Sequence, residues 1–206
     1  MNAPLLIKKI TDVQEKIFGE TTDYTKIKAF YNDYVMKKLP EIEEYIARAG
    51  DSLFRAIQYS MTGNYIDFGD FAEVDRDKFE QLLENVPNIE MSDLEFKTLK
   101  KQLPKLQITV IVRGYPAVND ATMEDARQIG LDKEVCVLGN GNGVAGTCLE
   151  MLSEEAKECV LSADVSIAKG QGNFETLMGC DLNVYYIFMC KCTMFAKRFH
   201  RICFIR

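Results

Sequence analysis

A lysine and two glycines stand together directly after a β-branched segment, in Lys169-Gly170-Gln171-Gly172-Asn173. Glycines let the backbone approach an anion closely, and the N-terminus of a following helix favours negative charge. The lysine adds a point charge that suits a phosphate group. In a P-loop, by contrast, the lysine follows the glycines. The segment therefore predicts either a phosphate-binding turn or an ordinary strand-to-helix turn with a solvated lysine.

Two further charged residues follow apolar segments. Asp120 stands where a carboxylate could bind Mg²⁺ or Mn²⁺, or could simply cap the helix that comes next. Lys191 follows the last apolar segment, where it could reach the same edge of a sheet or lie along the surface with its ammonium group in water. The glycine-rich segment 139–143 is expected to be a turn, with a ligand role for Asn140 or Asn142 as the alternative.

The single histidine, His200, excludes several kinds of site. Catalysis by Ser-His-Asp or Cys-His groups needs a histidine base, and one histidine near the end of the sequence is a poor candidate. Zinc sites with several histidines are excluded outright. Any metal site must use carboxylate, amide or thiolate ligands, and oxygen ligands suit Mg²⁺ and Mn²⁺.

The charge and the cysteine content limit the kinds of binding partner and the cellular compartment that we expect for this chain. The chain has 31 acidic and 25 basic residues, so no basic surface for a nucleic acid is expected. No apolar stretch approaches the 18 residues of a membrane span, and the N-terminal apolar run is too short for a signal peptide. Seven cysteines, an odd number, favour reduced thiols and a cytoplasmic location. Cys190 and Cys192 are expected to be buried thiols rather than a metal or redox site.

The hydrophobic period changes near the middle of the chain. Residues 1–103 read as a helical region, in which Pro40 begins a new helix and residues 94–103 form the last one. Residues 104–206 alternate strands with helices, which predicts a Rossmann-like α/β region with a mainly parallel sheet. Its expected strands are 106–112, 134–138, 164–168 and 183–190. Because ligands bind at the carboxyl ends of parallel strands, the loops after these strands should meet at one edge.

Four blocks of sequence, in order, resemble the damage-control phosphatase family, which includes relatives described as acidic-residue methyltransferases. The most specific block is residues 163–175, around the lysine and glycines described above. The other blocks are residues 63–69, residues 112–126 with Val118-Asn119-Asp120-Ala121-Thr122, and residues 188–192. The resemblance covers residues 1–199.

The resemblance implies a fold and an activity. A helical N-terminal region would pack on a Rossmann-like sheet with helices on both faces, and the protein would be a hydrolase of the phosphate esters of small metabolites, such as sugar phosphates or damaged phosphometabolites. The family's divalent ion, here Mn, Co, Ni or Mg, would be bound by Asp120. The phosphate group would be held by Lys169, Gly170, Gln171, Gly172 and Asn173, with Asn64, Asp67 and Lys191 near the site.

The sequence departs from the family pattern before the strand 106–112. The family's Asp-Asn pair of metal ligands belongs to a block that has no counterpart between Ile89 and Leu106. One strand–helix unit of roughly 30 residues is therefore expected to be missing from the sheet. The residues after 197 also depart from the family and read as an altered terminus.

Two functions follow from this departure. The chain is either a metal-dependent phosphatase or a catalytically impaired relative that only binds a phosphate ligand or a partner. A missing strand would leave exposed sheet edges, so self-association is expected as well.

Overall fold

The computed structural model describes residues 3–19, 22–68, 74–89, 97, 99, 107–189 and 203–205. They fall into two compact units. The first draws on 1–37, 106–164 and 172–182, and the second on 38–105, 165–171 and 183–206. Each unit thus takes residues from both sides of the predicted boundary at 103, and that boundary stays a prediction.

Seven α-helices lie in the described part of the chain. They are α1 (Ala3–Phe18), α2 (Thr25–Ala47), α3 (Ser52–Gly63), α4 (Arg76–Glu84), α5 (Met123–Gln128), α6 (Glu154–Ser162) and α7 (Gln171–Leu177). Polar side chains begin several of them: Asp51, Asp75 and Ser153 each accept a hydrogen bond from a backbone N–H in the first turn of α3, α4 and α6. The predicted helix 94–103 lies almost wholly outside the described residues.

Pro40 does not begin a new helix, as the sequence predicted. It lies inside α2, so two predicted helices are one. A proline inside a helix removes one backbone hydrogen bond but leaves the turns on both sides able to form theirs. Here the helix continues through it.

The strands are short and mostly parallel. β1 (Thr109–Val112) pairs in parallel with β2 (Cys136–Gly139), and β3 (Ser166–Lys169) pairs in parallel with β4 (Val184–Met189). β5 (Cys203–Ile205), which the sequence did not predict, pairs antiparallel with β4. The α/β class with mainly parallel pairing is therefore confirmed, and helices precede strands along the chain as expected.

The described strands form two sheets, β1-β2 and β3-β4-β5, where the sequence predicted one continuous sheet. The segment 106–112 had the apolar character of a strand buried on both faces, but β1 is only half-buried and Ile108 is 49% exposed. β4 is the strand that is buried along almost its whole length.

The core of the second unit fixes the position of α3. Ile57 and Met61 of α3 pack with Leu99, and with Tyr185 and Ile187 of β4. Because α3 lies on β4, its C-terminal residue is held close to the end of that strand.

In α1, the apolar side chains of Leu6, Ile10, Val13 and Ile17 are half exposed or more. None of the described helices is long and apolar enough to cross a membrane.

Candidate functional site

The turn between β3 and α7 is tighter than the sequence predicted. Lys169 is the last residue of β3, and Gln171 is already the first residue of α7. Gly170 makes the turn alone, with a φ of +98°, and its N–H donates to the carbonyl of Ile187 at 2.8 Å. The predicted loop 169–173 was therefore wrong in extent. A glycine at positive φ reverses the chain in one residue, so Gln171, Gly172 and Asn173 form the first turn of a helix.

Asn64 lies beside this turn. It caps the C-terminus of α3, and its side-chain Oδ1 accepts a hydrogen bond from the N–H of Met189 at 3.1 Å. A Cβ built on Gly170 would lie 3.9 Å from the Asn64 Nδ2. The structure thus brings together Asn64 and Gly170, which the resemblance placed in one site. The Lys169 side chain is exposed, and Asp67 is half-buried in the segment after α3.

Gly172 has a packing role that sequence reasoning did not find. A Cβ at this position would lie 2.0 Å from the carbonyl oxygen of Ala145. Gly146 is constrained as well, because its Cβ would lie 2.7 Å from the Thr176 Cγ2 and 2.8 Å from the carbonyl oxygen of Gly172. The first turn of α7 therefore packs directly on the backbone of residues 145 and 146, which only glycine permits.

Arg113, the residue after β1, connects three parts of the first unit. Its Nε donates to the Asp120 Oδ2 at 2.7 Å, its Nη2 donates to the Asn173 Oδ1 at 3.2 Å, and its Nη1 donates to the carbonyl of Gly146. The arginine side chain is 11% exposed and the aspartate side chain 37% exposed. Asp120, the predicted metal ligand, is therefore the ion-pair partner of a nearly buried guanidinium group.

Asn173, a residue of the predicted phosphate segment, is held on a second side by Thr147. The Thr147 hydroxyl donates to the same Asn173 Oδ1 at 2.8 Å, and the Thr147 N–H donates to the Thr176 hydroxyl at 2.7 Å. Asp120 and Asn173 are thus joined through Arg113. The first turn of α7 is fixed to the loop that contains Thr147.

The glycine-rich segment 139–143 is a turn that follows β2 and is hydrogen-bonded to the residues after β1. The Asn140 Oδ1 accepts hydrogen bonds from the N–H groups of Gly114 and Asn142, at 2.8 and 3.0 Å. Gly114 lies so close to this segment that its Cβ would be 2.6 Å from the Gly141 nitrogen. The described hydrogen bonds and close approaches of this segment are therefore with its own residues and with Gly114.

The donor set does not fit a divalent metal in the part of the chain that the structure describes. It contains no group of three or more His, Cys, Asp or Glu side chains that could hold a metal ion. One oxygen of Asp120 is engaged by Arg113, and a metal ion needs several fixed ligands. Metal binding by Asp120 stays a prediction. Lys191, Cys190 and Cys192 lie outside the described residues, so their predicted positions are not addressed.

Sequence reasoning included Arg113 in a family block but gave it no role. The available signal was its position, because a charged residue directly after an apolar strand lies at the carboxyl edge of a sheet. What the sequence could not indicate is the partner. Asn173 is sixty residues away, and only the packing of α7 on residues 145 and 146 brings it to the guanidinium group.

Comparisons with known proteins agree with the resemblance. The family model described as the damage-control phosphatase ARMT1-like domain matches residues 91–201. A damage-control phosphatase of Archaeoglobus fulgidus is 29% identical, over 88% of this chain and 73% of that protein. An uncharacterised protein of Methanocaldococcus jannaschii is 30% identical, over 89% of this chain and 71% of its own length.

A third relative and a solved structure come from Pyrococcus horikoshii. A damage-control phosphatase of that organism is 36% identical over 47% of this chain and 34% of its own length. The crystal structure of a DUF89-family protein from the same organism has a TM-score of 0.71 and 23% identity, covering 92% of this chain and 76% of that one. This likeness shows a shared fold.

The alignment with the Archaeoglobus fulgidus protein spans 213 residues but only 88% of this chain. About 30 positions of that alignment therefore have no residue of this chain opposite them. The match of the family model over more than half of the chain and the similarity to these relatives show that the chain belongs to the damage-control phosphatase family.

Proposed function

We propose that this chain binds the phosphate group of small phosphorylated metabolites, such as sugar phosphates, at the turn between β3 and α7. The observation that carries the proposal is the geometry of Lys169 and Gly170. A cationic side chain ends a strand, a glycine at positive φ follows, and a helix begins at the next residue. A helix N-terminus and a nearby lysine both attract an anion.

Asn64 adds a polar group to the same place. Its Nδ2 lies on the side of Gly170 that a Cβ would occupy, so the absent side chain leaves room beside an amide donor. Its Oδ1 is engaged by the N–H of Met189, which fixes the orientation of the amide. An anion at Gly170 would therefore meet a donor whose direction is already set.

Calorimetric titration of the purified chain with inorganic phosphate and with glucose 6-phosphate tests this proposal. Replacing Lys169 by Met should weaken binding by about tenfold or more, the usual value of one charge-assisted hydrogen bond. The control is Lys133→Met, since Lys133 is also exposed but lies in a 3₁₀ turn before β2. Equal affinities of the two variants, or no binding by the unchanged chain, would contradict the proposal.

The second candidate is hydrolysis of those esters with a divalent ion, Mn, Co, Ni or Mg. It is supported by the names of two relatives, both damage-control phosphatases. Binding the phosphate group is required by both candidates. They differ in whether this chain also completes the reaction.

Hydrolysis of an aryl phosphate, with each metal in turn and with chelator, separates the two candidates. Activity that chelator removes and that Asp120→Ala and Lys169→Ala abolish would favour the phosphatase. Phosphate binding without turnover in any metal, by a chain that circular dichroism shows to be folded, would favour the binding protein. A cytoplasmic location remains part of the proposal, since the expected substrates are small metabolites.

A further inference from the structure

We infer that Asp120 of this chain is the counter-ion of Arg113 rather than a ligand of a divalent metal. We further infer that Arg113 is a positioning residue that holds Asn173 in the first turn of α7. The first statement concerns the pair alone. The second rests on the proposed function, because the turn that it positions is the proposed phosphate site.

The side chain of Arg113 is nearly buried. A guanidinium group cannot lose its charge in a protein, so a nearly buried arginine needs a carboxylate close by. The side chain is 11% exposed, and its ion pair in the described part of the chain is with Asp120. The bond from Nε to Oδ2, at 2.7 Å, has the length of a charge-assisted hydrogen bond. Asp120 therefore already has a structural task.

A metal ion at Asp120 would also meet the positive charge of Arg113. An ion bound to the carboxylate would lie within a few ångströms of the guanidinium group, which is positively charged, and would be repelled by it. The described residues also supply no set of three acidic, thiol or imidazole side chains to offset that repulsion. Arginine thus provides at this carboxylate the positive charge that a metal would otherwise bring.

Arg113 also contacts Asn173 in the first turn of α7. The guanidinium group is planar and forks, so one side chain can bind Asp120 through Nε while Nη2 reaches the Asn173 Oδ1. Thr147 binds the same oxygen from its own loop. The amide of Asn173 is thereby fixed from two directions. Because Asn173 belongs to the first turn of α7, the position of that turn depends on the orientation of Arg113.

Titration with Mn²⁺ alone, followed by the electron paramagnetic resonance signal of the free ion, tests the first statement. Asp120→Asn should leave any Mn²⁺ binding unchanged within about twofold, since the carboxylate pairs with Arg113 and is not a metal ligand. A fall of about tenfold or more in that variant would show that Asp120 is a metal ligand and would overturn the inference. No phosphate is needed, so this result is independent of the proposed function.

Thermal midpoints of the single and double variants test the ion pair. Asp120→Asn and Arg113→Met should each lower the midpoint, and the double variant should fall no further than the worse single variant, because Arg113→Met already removes the ion pair that Asp120→Asn removes. Midpoints that fall additively would contradict the pair. If Arg113→Met does not fold, Arg113→Lys serves in its place, since lysine keeps the charge but not the fork.

Phosphate affinity measured in chelator tests the positioning role. Arg113→Lys should keep most of the thermal midpoint yet weaken inorganic phosphate binding several-fold, because a lysine cannot hold Asp120 and Asn173 together. Unchanged affinity in that variant would refute the positioning role while leaving the ion pair standing. If the unchanged chain itself binds no phosphate, both the proposed function and the positioning role are refuted. The Mn²⁺ titration then remains the test of whether Asp120 is a metal ligand.

Discussion

The turns after β1 and after β3 are built from different kinds of contact. After β1, the charged group of Arg113 binds Asp120, Gly146 and Asn173, so the turn is held by an ion pair and side-chain hydrogen bonds. After β3, a single glycine at positive φ reverses the chain, and its N–H bonds the backbone of β4. The turn after β1 is filled by side chains, and the turn after β3 leaves room beside its backbone.

The type of a residue therefore does not decide its role in these two turns. Asp120 has the chemistry of a metal ligand, yet its carboxylate neutralises an arginine. Gly172 has the chemistry of an anion cradle, yet its contact is with the carbonyl of Ala145. Gly170 has no such contact from the backbone and keeps the geometry of an anion-binding turn. Substitutions at these positions can therefore separate an effect on packing from an effect on binding.

The largest expected effect comes from Gly172→Ala. The new Cβ would lie 2.0 Å from the carbonyl oxygen of Ala145, so backbone must move. Overpacking of this kind lowers the free energy of unfolding by about 3 kcal/mol. Urea denaturation measures it against Gly63→Ala, whose Cβ would meet nothing within 4 Å at the end of α3. Equal stability of the two variants would show that α7 does not pack as described.

Asp125→Asn should cause the next largest loss of stability. Asp125 caps α5 through Thr122 and binds Lys28 at 2.6 Å and Asn32 at 3.0 Å. Loss of these charge-assisted bonds should lower the free energy of unfolding by about 2 kcal/mol at pH 7. The exposed Asp132, replaced by Asn, is the control.

The pH dependence of the same variant follows from the pKa of Asp125. Burial acts to raise this pKa, but hydrogen bonds from Lys28 and Thr122 outweigh burial and hold it below the usual 3.8. A lowered pKa contributes stability above the unfolded value, and that stability is lost as the pH falls through the folded value. The difference between the unchanged chain and Asp125→Asn should therefore shrink below pH 3.8, and a constant difference would contradict the assignment.

Gly170→Ala tests the turn between β3 and α7. Alanine at a φ of +98° costs about 1 to 2 kcal/mol of stability, although its Cβ has room, 3.9 Å from Asn64. Gly179→Ala is a matched control, because Gly179 has a φ of +85° and open space. Both variants should lose similar stability, but only Gly170→Ala should weaken phosphate binding. Equal phosphate affinities would separate the turn from the binding site.

The smallest expected effect is that of Asn64→Ala. It removes the acceptor of the Met189 N–H and should lower the free energy of unfolding by about 1 kcal/mol. Asn64→Asp keeps an acceptor oxygen in the same place and should recover most of that loss. Thermal denaturation of the two variants measures the difference. An equal loss in both would mean that this hydrogen bond does not hold the residue.

The sequence predicted the α/β class, the parallel pairs and the turn at Gly170, because hydrophobic period and glycine placement are local signals. It failed at Pro40, where the helix continues through a residue that usually ends one. It also failed on the extent of the segment 169–173, since a one-residue turn depends on where β3 ends.

The contacts of the candidate site were beyond local signals. The partner of Asp120 is seven residues away in sequence, but that of Asn173 is sixty, and no periodicity relates the two. Likewise, the need for glycine at 172 comes from the backbone of Ala145. Such contacts are fixed by the packing of helices on strands, which one sequence does not encode in any readable pattern.

The most direct test of the central proposal is to map bound phosphate on the chain itself. Inorganic phosphate added to ¹⁵N-labelled protein should shift the amide resonances of Gly170, Gln171 and Gly172, with smaller changes at Asn64. The amides of the 139–143 turn, which is held by its own side chains, should stay in place. Shifts confined to those amides, or no shift at Gly170 at a saturating concentration, would contradict a phosphate site between β3 and α7.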